Sequence, residues 1–307
     1  MSYAFDPELA PLVPRLRPPD YRRPEAARTT MRAIMAAQTA YRPERPVEVA
    51  DRRVPVPGGP ELTVRTYRPL DRPGPLPALL FPHWGGFVTG DLDTPEIAAT
   101  RIADRVGALV VSPDYRLSPE HPYPAALDDC YAALEWLAAE APALGVDPDR
   151  IGTAGYSAGG ALATAAALLA RDRGGPALRF LYLLFPQLDD RLETVSARAF
   201  TDTPMLDRPN LELSWRHYLG GAPASGYAAP ARAEELAGLP PAFVGVCEYD
   251  PLRDEGLDFA LRLIRAGVTT QLVHYPGTFH ASIGIDSAVS RRMVDEQLAV
   301  LRRGLLD

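Results

Sequence analysis

The sequence predicts an α/β protein in which helices cover both faces of a mostly parallel sheet. Strand-like and helix-like segments alternate along most of the 307 residues, and several strand-like segments are continuously apolar, as in strands buried on both faces. Hydrophobic residues make up 47% and charged residues 23%, values that are typical of folded globular proteins. The chain is therefore long enough and apolar enough to bury a large core.

The predicted elements follow one another along the chain. Apolar and β-branched runs predict strands, in order LTVRTYRPL, PALLFPH, ALVVSPDY, RIGTAGYS, RFLYLLFP, PAFVGVCEYD and TQLVHYP. Helical periodicity predicts an early helix in RTTMRAIMAAQ, followed by PEIAATRIADRVG, AALDDCYAALEWLAAEAPALG, AGGALATAAALLARDRGG, DEGLDFALRLIRAG and SAVSRRMVDEQLAVLRRGLL. We expect functional side chains where these strands end, because loops at that edge of an α/β sheet form its ligand sites.

Two segments interrupt the alternation. Residues 1–45 are rich in proline, and residues 188–223 form a long insertion with several aromatic side chains. Two interpretations stay open from periodicity alone. The segments form either a cap over the end of the sheet or surface helices with an ordinary apolar face.

Composition excludes several function classes. The formal net charge of −7 and the pI near 5.4 argue against nucleic-acid binding, which needs a concentrated basic surface. No segment approaches 18 uncharged apolar residues, and the first residues do not look like a secretory signal, so we expect no membrane span and a cytoplasmic location. Cys130 and Cys247 lie in apolar surroundings and are interpreted as buried thiols rather than metal ligands.

The stretch RIGTAGYSAGG carries a candidate nucleophile. It places Ser157 between a predicted strand and a predicted helix, with Gly155 and Gly159 flanking it in the pattern G-x-S-x-G. The turn is so tight that the flanking residues must be small, and the serine oxygen then projects from the sheet edge. The start of the following helix favours a developing anion. We therefore predict that Ser157 is catalytic.

A serine needs a base and an oriented carboxylate. In the strand–turn–helix context of G-x-S-x-G the acid and then the histidine follow the serine, which leaves His274 and His280. His274 lies within a predicted strand, whereas His280 lies in the loop after it, so we expect His280 to be the base. For the acid we expect Asp250, just past the strand PAFVGVC, with Glu248 as its rival. The next acidic residues, Asp254 and Glu255, are interpreted as the N-cap and first turn of a helix.

The stretch FPHWGGF supplies the other expected half of the site. An oxyanion formed by serine attack needs N–H donors from the residue after the serine, Ala158, and from an earlier loop. Gly85 and Gly86 lack a Cβ atom and so let the backbone approach the substrate oxygen. We therefore expect Gly85, Gly86 and Ala158 to form the oxyanion hole, and His83 to orient the loop.

Four ordered motifs, HWGGF, DYRLSPEHPYPAALDD, GYSAGG and DPLRDEG, resemble the hormone-sensitive-lipase-like family of bacterial carboxylesterases in the α/β-hydrolase superfamily. The resemblance covers nearly the whole chain from about Val54. It implies an α/β-hydrolase fold with a helical cap, and the nucleophile, acid, base and oxyanion donors assigned above. It also implies a division into residues 1–45 (N-terminal part of the cap), 46–187 (core), 188–223 (cap insertion) and 224–307 (core).

The sequence departs from the family pattern near the expected site. Trp84 stands where the family has the first glycine of His-Gly-Gly-Gly, Tyr156 where it often has aspartate, and Ala281 where glycine often follows the histidine. These departures bear on substrate preference more than on the reaction. Trp84 and Tyr156 are candidate pocket residues, together with four residues of the insertion for which core packing is an equal interpretation: Phe200, Met205, Trp215 and Tyr218.

The predicted function is hydrolysis of a small-molecule carboxylic ester, with short to medium acyl chains, through an acyl-enzyme and without a cofactor or metal. The same groups can cleave an amide or a thioester. Two alternatives stay open: an amide or acetyl hydrolase, and a non-hydrolytic dehydratase or cyclase of secondary metabolism that uses the same oxyanion hole. A pure binding module is disfavoured because serine, acid and histidine are all present. By family resemblance, a homodimer through the edge strand that contains His274 is also expected.

Overall fold

A computed structural model describes residues 3–307 and has one central sheet. Its eight strands are β1 (Val47–Val54), β2 (Leu62–Pro69), β3 (Leu76–Leu80), β4 (Leu109–Pro113), β5 (Val146–Tyr156), β6 (Leu181–Leu184), β7 (Ala242–Tyr249) and β8 (Thr270–Phe279). Their spatial order is β1-β2-β4-β3-β5-β6-β7-β8. The β1–β2 and β2–β4 pairs are antiparallel and the other pairs are parallel, which confirms the predicted mostly parallel sheet.

Helices flank this sheet on both faces. Their bounds are α1 (Pro24–Ala36), α2 (Glu96–Val106), α3 (Ala125–Ala139), α4 (Ala158–Arg173), α5 (Val195–Ala199), α6 (Arg208–Leu219), α7 (Arg253–Arg265) and α8 (Ala288–Leu306). In and just after β3, Ala78 and Leu80 join the cluster formed with α3 and α4, whereas Leu79 and Phe81 join the cluster formed with α2 and α8. This alternation shows a strand buried on both sides, as its continuously apolar sequence predicts.

Two strands differ from the sequence expectation. β1 was not predicted, because its sequence VEVADRRV carries charges and most of its side chains are exposed at the edge of the sheet. β8 extends beyond the predicted TQLVHYP as far as Phe279, with a register irregularity opposite Cys247–Tyr249. His280 therefore follows the strand directly instead of standing inside a longer loop.

The N-terminal segment reaches across the molecule to the far end of the chain. The amide of Asp6 donates to the carbonyl of Gly277 at 2.9 Å, and the amide of Ala288 donates to the Glu8 carboxylate at 2.7 Å. The Phe5 ring meets the rings of Tyr249 and Phe279 edge-on, with centroids 5.2 and 5.5 Å apart. Residues 5–8 thus contact the ends of β7 and β8 and the start of α8. Met1 and Ser2, which fall within the predicted segment 1–45, lie outside the described residues.

Within residues 3–307, no helix is long and apolar enough to cross a bilayer, and no group of three or more His, Cys, Asp or Glu side chains could hold a metal ion. The cytoplasmic location stays a prediction of the sequence. Cys130 and Cys247 are both free and buried, and burial raises the pKa of each thiol. The interpretation of these cysteines as buried thiols is confirmed.

Candidate active site

Ser157 occupies the turn between β5 and α4, with φ 51° and ψ −125°, a strained conformation for a residue with a side chain. Tight packing around the turn explains its glycines. A Cβ atom on Gly155 would lie 2.2 Å from the carbonyl oxygen of Gly159, and one on Gly159 would lie 2.3 Å from that of Pro82. The sequence G-x-S-x-G therefore folds this way because no larger residue fits at either flank.

Backbone hydrogen bonds hold the serine in place. Its amide donates to the carbonyl of Leu184 at 3.1 Å, and its carbonyl accepts from the amide of Gln187 at 3.0 Å. Leu184 is the last residue of β6, the strand next to β5, and Gln187 lies three residues beyond it. Ser157 is 5% exposed, so its side chain stands in a nearly closed site directly before the N-terminus of α4.

An acid and a histidine come together at the same edge of the sheet. Asp250 follows β7 and His280 follows β8, and these strands run parallel to β5, so all three side chains lie at the carboxyl ends of strands. The Nδ1 atom of His280 lies 2.8 Å from Oδ2 of Asp250. Because an ionised carboxylate only accepts, Nδ1 carries the hydrogen and Nε2 of the neutral ring is left free to accept a proton.

Burial strengthens this pair. Asp250 is fully buried and His280 is 7% exposed, so water competes little for their hydrogen bond. The second oxygen of Asp250 accepts from the amide of Leu252 at 2.9 Å, which fixes the rotation of the carboxylate. The Phe185 ring packs edge-on to the imidazole at 4.8 Å. The ring of His280 is therefore oriented on two sides.

The rival residues lie elsewhere. Glu248 is partly exposed, and its Oε2 accepts from the amide of Gly277 at 2.7 Å. His274 is exposed on β8, opposite Val246. Among the ionisable candidates that the sequence offers, the structure thus pairs Asp250 with His280.

Three consecutive carbonyl groups in the loop after β3 accept hydrogen bonds. The Trp84 carbonyl lies 3.0 Å from Nδ1 of His83. The Gly85 carbonyl accepts from the amide of Thr89 at 2.9 Å and from its hydroxyl at 3.0 Å. The Gly86 carbonyl accepts from the hydroxyl of Ser214 at 2.8 Å. In a trans peptide the N–H points opposite to the C=O. Since the Trp84 and Gly85 carbonyls are held, the N–H groups of Gly85 and Gly86 point away from these partners and stay available.

Both glycines are sterically required. Gly85 has φ 128°, and a Cβ atom there would lie 2.2 Å from the carbonyl oxygen of Thr89. Gly86 has φ 62°, and a Cβ atom there would lie 2.6 Å from the hydroxyl of Tyr21. The paired glycines thus let the loop turn sharply while a side chain from the N-terminal segment covers it.

His83 is a neutral, buried part of this loop. Its ring stacks on Tyr115 with centroids 4.0 Å apart, and the Tyr115 hydroxyl donates to the His83 carbonyl at 3.0 Å. Burial lowers the pKa of His83 to about 4, so the ring is uncharged near neutral pH. Because the Trp84 carbonyl can only accept, Nδ1 of His83 must be the donor. These contacts match the expected orienting role.

Trp84 and Tyr156 lie side by side next to the serine. Their rings stack with centroids 5.1 Å apart, and Phe81 meets Tyr156 edge-on at 5.3 Å. Trp84 is partly exposed, whereas Tyr156 is 4% exposed and its hydroxyl is hydrogen-bonded to the amide of Gln297. Of the two, Trp84 presents more surface to a ligand.

The four insertion residues fall into two groups. Trp215 and Tyr218 are 3% and 1% exposed and pack on Phe87, which stacks on Tyr218 with centroids 3.9 Å apart, so they present almost no surface to a ligand. Phe200 packs against the N-terminal segment and Tyr249, and Met205 is partly buried in the cluster around Phe279. The second group lies beside the residues that precede Asp250 and His280.

The motif DYRLSPEHPYPAALDD makes one internal ion pair and one ion pair with α1. The Arg116 guanidinium binds Asp129, which is almost fully buried, with nitrogen–oxygen distances of 2.8 and 2.9 Å. Glu120 binds Arg28 of α1 at 2.5 Å, and Arg28 also donates to the carbonyls of Val88 and Ser118. The motif therefore supports the site from behind and joins it to α1.

The role expected for Asp254 needs correction, whereas Glu255 lies in the first turn of α7 as expected. Helix α7 begins at Arg253, so Asp254 is not its N-cap; its Oδ2 accepts instead from the amide of Ser196 at 2.7 Å. Glu255 is 2% exposed, and its Oε1 accepts from the amides of Leu188 and Asp189 at the start of the insertion. Burial raises the pKa of Glu255 well above its usual range. Both carboxylates anchor the insertion to the core.

The sequence did not indicate four residues that contact each other or the loop of Trp84, Gly85 and Gly86, here called the glycine loop. They are Tyr21, Asn210, Ser214 and His217. The last three are spaced at i, i+4 and i+7, which places them on one face of α6. That spacing of polar residues was visible in LDRPNLELSWRHYLG, but its partners are distant in the chain.

Comparison with known proteins places the chain among hydrolases. A sequence profile of the alpha/beta hydrolase fold matches residues 79–283. Carboxylesterase NlhH from Mycobacterium tuberculosis (strain CDC 1551 / Oshkosh) is 39% identical over 289 residues, which cover 92% of this chain and 89% of that protein. The ethyl acetate hydrolase of Pseudomonas putida is 32% identical over 276 residues, which cover 88% and 86% of the two chains.

Solved structures agree with these relatives. The structure described as a bacterial heroin esterase superposes with a TM-score of 0.95 at 42% identity and covers 99% of both chains. The esterase LipW from Mycobacterium marinum superposes with a TM-score of 0.90 at 38% identity, covering 99% of this chain and 97% of that chain. The resemblance drawn from four sequence motifs is confirmed: the chain belongs to the alpha/beta hydrolase fold family, in its hormone-sensitive-lipase-like branch.

Proposed function

We propose that this protein is a carboxylesterase that cleaves esters through an acyl-enzyme on Ser157. The observation that carries the proposal is the buried His280–Asp250 hydrogen bond of 2.8 Å, at the sheet edge where Ser157 stands in a strained turn. The relatives named as esterases support the same reaction. They do not favour the non-hydrolytic dehydratase or cyclase alternative.

The reaction follows from the roles of the groups. Ser157 Oγ attacks the ester carbonyl carbon while Nε2 of His280 takes the hydroxyl proton, and Asp250 stabilises the imidazolium that forms. The protonated ring then gives this proton to the departing alcohol, which leaves an acyl-serine. Water attacks the acyl-serine with the same ring as base, and the acid is released.

The oxyanion of each tetrahedral intermediate is placed against the N–H groups of Gly85, Gly86 and Ala158. The hydrogen-bonded carbonyls of Trp84 and Gly85 support this assignment, because the N–H groups of Gly85 and Gly86 in the same peptides then point away from those partners. Ala158 is the first residue of α4, where backbone donors and the helix dipole favour negative charge. Each donor of this kind contributes about 3 kcal/mol to stabilising the transition state.

We assign residues 1–45 and 188–223 to a cap over the active-site edge, and the segments 46–187 and 224–307 to the hydrolase core. The support is contact with the site from both segments. Tyr21 covers Gly86, Ser214 of α6 binds the Gly86 carbonyl, and Phe5 packs on the residues that precede Asp250 and His280. A cap in this position excludes water and shapes the substrate pocket.

Trp84 is assigned to the wall of the acyl pocket. It is partly exposed, it directly precedes Gly85, and its stack on Tyr156 fills space beside Ser157. Met205 is assigned to the opposite, cap side of the site, with Phe200 and Tyr156 behind the lining residues. A bulky wall next to the hole favours short acyl groups, as in the substrate that the name of the Pseudomonas putida relative gives.

The first test is hydrolysis of p-nitrophenyl esters from acetate to long acyl chains. We expect turnover by the wild type, with an optimum at short chains, and a loss of at least about 10³-fold in Ser157→Ala. His280→Ala should lose activity similarly, whereas the matched variant His274→Ala should keep it. A fluorophosphonate should add once to the wild type and not to Ser157→Ala. A folded wild type without turnover, or an active Ser157→Ala, would refute the proposal.

A homodimer through the outer edge of β8 is the second part of the proposal. Among residues 3–307, β8 is the last strand of the sheet and no described strand pairs with its outer edge, along which Gln271 and His274 are exposed. Sedimentation over a range of protein concentrations measures the mass directly. A monomer mass at every concentration would contradict this part alone.

A further inference from the structure

Helix α6 presents a polar face to the active site. Asn210, Ser214 and His217 follow one another at i, i+4 and i+7 and therefore share one side of the helix. The Asn210 side chain accepts from the amide of Tyr21 at 3.2 Å, and Nε2 of His217 donates to the carbonyl of Tyr21 at 2.8 Å. Ser214 lies between Asn210 and His217 on this helix face and contacts the glycine loop.

The hydroxyl of Ser214 makes two hydrogen bonds, one as donor and one as acceptor. It donates to the carbonyl of Gly86 at 2.8 Å and lies 3.0 Å from Nε2 of Gln187, which donates to it. Ser214 is fully buried and Gln187 is 1% exposed, so water does not compete for either bond. The amide donor of Gln187 sets the direction in which the serine proton points.

Gln187 connects this hydroxyl to the nucleophile. Its backbone amide donates to the carbonyl of Ser157 at 3.0 Å, while its side chain binds Ser214. A continuous path of hydrogen bonds therefore runs from the backbone of Ser157 through Gln187 and Ser214 to Gly86. It joins the nucleophile turn, the cap helix and the glycine loop.

Gly86 depends on this path more than its neighbours do. The carbonyls of Trp84 and Gly85 are held by residues of the same loop, His83 and Thr89, but the Gly86 carbonyl is held by α6. A glycine with φ 62° has no side chain to resist rotation of the adjoining peptides. The N–H of Gly86 belongs to the peptide whose carbonyl, that of Gly85, is held by Thr89, and the Ser214 bond holds the peptide that follows Gly86, so the Cα atom of Gly86 sits between two held peptide planes.

Tyr21 closes the arrangement from above. Its ring occupies the place where a Cβ atom of Gly86 would stand, with the hydroxyl 2.6 Å from that point. Asn210 and His217 hold the backbone of Tyr21 on either side of Ser214. The same face of α6 thus binds both the Gly86 carbonyl and the backbone of Tyr21, whose ring covers Gly86.

We propose that Ser214 is a positioning residue for the oxyanion hole: its bonds to the Gly86 carbonyl and to Gln187 hold the peptide that follows Gly86, and so keep the Cα atom of Gly86, and with it the Gly86 N–H, in place against Ser157. This inference rests on the proposed function, because it concerns the donors that stabilise the oxyanion. It makes the cap helix a working part of the catalytic site, in addition to a cover. Stabilisation that acts only on the oxyanion lowers the barrier without changing substrate affinity.

The test is Ser214→Ala, with Thr66→Val as its matched control. Thr66 is also buried and donates to a backbone carbonyl, that of Ala50 at 2.9 Å, but it lies on β2 at the far side of the sheet. We expect Ser214→Ala to lower kcat about tenfold with KM within about twofold, and to weaken binding of trifluoroacetone, which forms an oxyanion on the serine, by a similar factor. Thr66→Val should lower Tm comparably and leave kcat unchanged.

Other outcomes separate the possible failures. An unchanged kcat in a folded Ser214→Ala, or a rise in KM alone, would overturn the positioning role. If Ser214→Ala does not fold, Gln187→Leu keeps the serine and removes the donor that orients it; we expect a smaller fall in kcat, and no fall would overturn the proposal. A wild type without Ser157-dependent turnover would instead refute the proposed function itself.

Discussion

The indole of Trp84 stacks on the phenol of Tyr156, with ring centroids 5.1 Å apart and 23° between the ring planes. Each residue adjoins a part of the reaction centre, since Trp84 precedes Gly85 and Tyr156 precedes Ser157. A hydrogen bond from Gln297 of α8 holds the Tyr156 hydroxyl, so the ring on which Trp84 stacks is fixed in place. Two of the three departures from the family motifs, Trp84 and Tyr156, are therefore one packed unit.

Removing the indole should lengthen the accepted acyl chain. In Trp84→Ala we expect kcat/KM for p-nitrophenyl octanoate to rise relative to the acetate by about tenfold, because several methylene groups gain buried space. Trp136→Ala is the control, since Trp136 is also partly buried but lies on α3. Equal chain-length profiles in wild type and Trp84→Ala would show that Trp84 only packs.

The acid assignment predicts a large difference between two neighbouring carboxylates. Asp250→Asn should lower kcat by up to about 10⁴-fold, because an amide that donates to Nδ1 favours the wrong histidine tautomer. Glu248→Gln should change kcat by less than about threefold, because the amide oxygen can still accept from Gly277. Steady-state kinetics of both variants measure this, and the reverse order of losses would make Glu248 the acid.

The tight nucleophile turn predicts a severe effect of one methyl group. In Gly155→Ala the new Cβ atom would lie 2.2 Å from a backbone oxygen, so we expect a loss of about 3 kcal/mol or more in the free energy of unfolding. Gly284→Ala is the matched control because no atom lies within 4 Å of its added Cβ. Urea unfolding should find the control within about 0.5 kcal/mol of the wild type; similar losses in both would contradict the packing argument.

His83 predicts a dependence of stability on pH. Its pKa is about 4 in the folded protein and near the ordinary 6.5 in the unfolded chain. As pH falls from 6.5 to 4, the unfolded chain gains a proton there and the folded protein does not, so the free energy of unfolding falls by about 3 kcal/mol in total. His83→Asn keeps a donor for the Trp84 carbonyl and should reduce this loss between pH 7 and 4.5. An identical pH slope in urea unfolding of both proteins would show that His83 is not the group responsible.

The local parts of the site could be predicted from the sequence because each is tied to one strand end. Ser157 lies in a strand–turn–helix pattern, and Asp250 and His280 follow apolar strands, so a short window around each residue identifies it. The flanking glycines report how closely the backbone packs. Such information is present in neighbouring residues and needs no knowledge of distant contacts.

The parts that could not be predicted depend on distant partners. Ser214 and Gly86 are 128 positions apart in the chain, and Tyr21 and His217 are 196 apart. A polar stripe on α6 suggests a solvent-facing surface until its partners are known. Likewise β1 carries the charges of an exposed edge, so the pairing with β2, and not an apolar pattern, makes it a strand.

The contacts of residues 4–8 also bear on how the protein is made. These residues leave the ribosome early, whereas Tyr249, Gly277 and Ala288, which they bind, are among the later parts of the chain to emerge. The ends of β7 and β8, which precede Asp250 and His280, therefore gain their contacts with residues 4–8 only after residues 249–288 have been synthesised. Nascent chains stalled before residue 277 should consequently leave residues 4–8 without most of these partners, and limited proteolysis should cut this segment more readily than in the 307-residue chain.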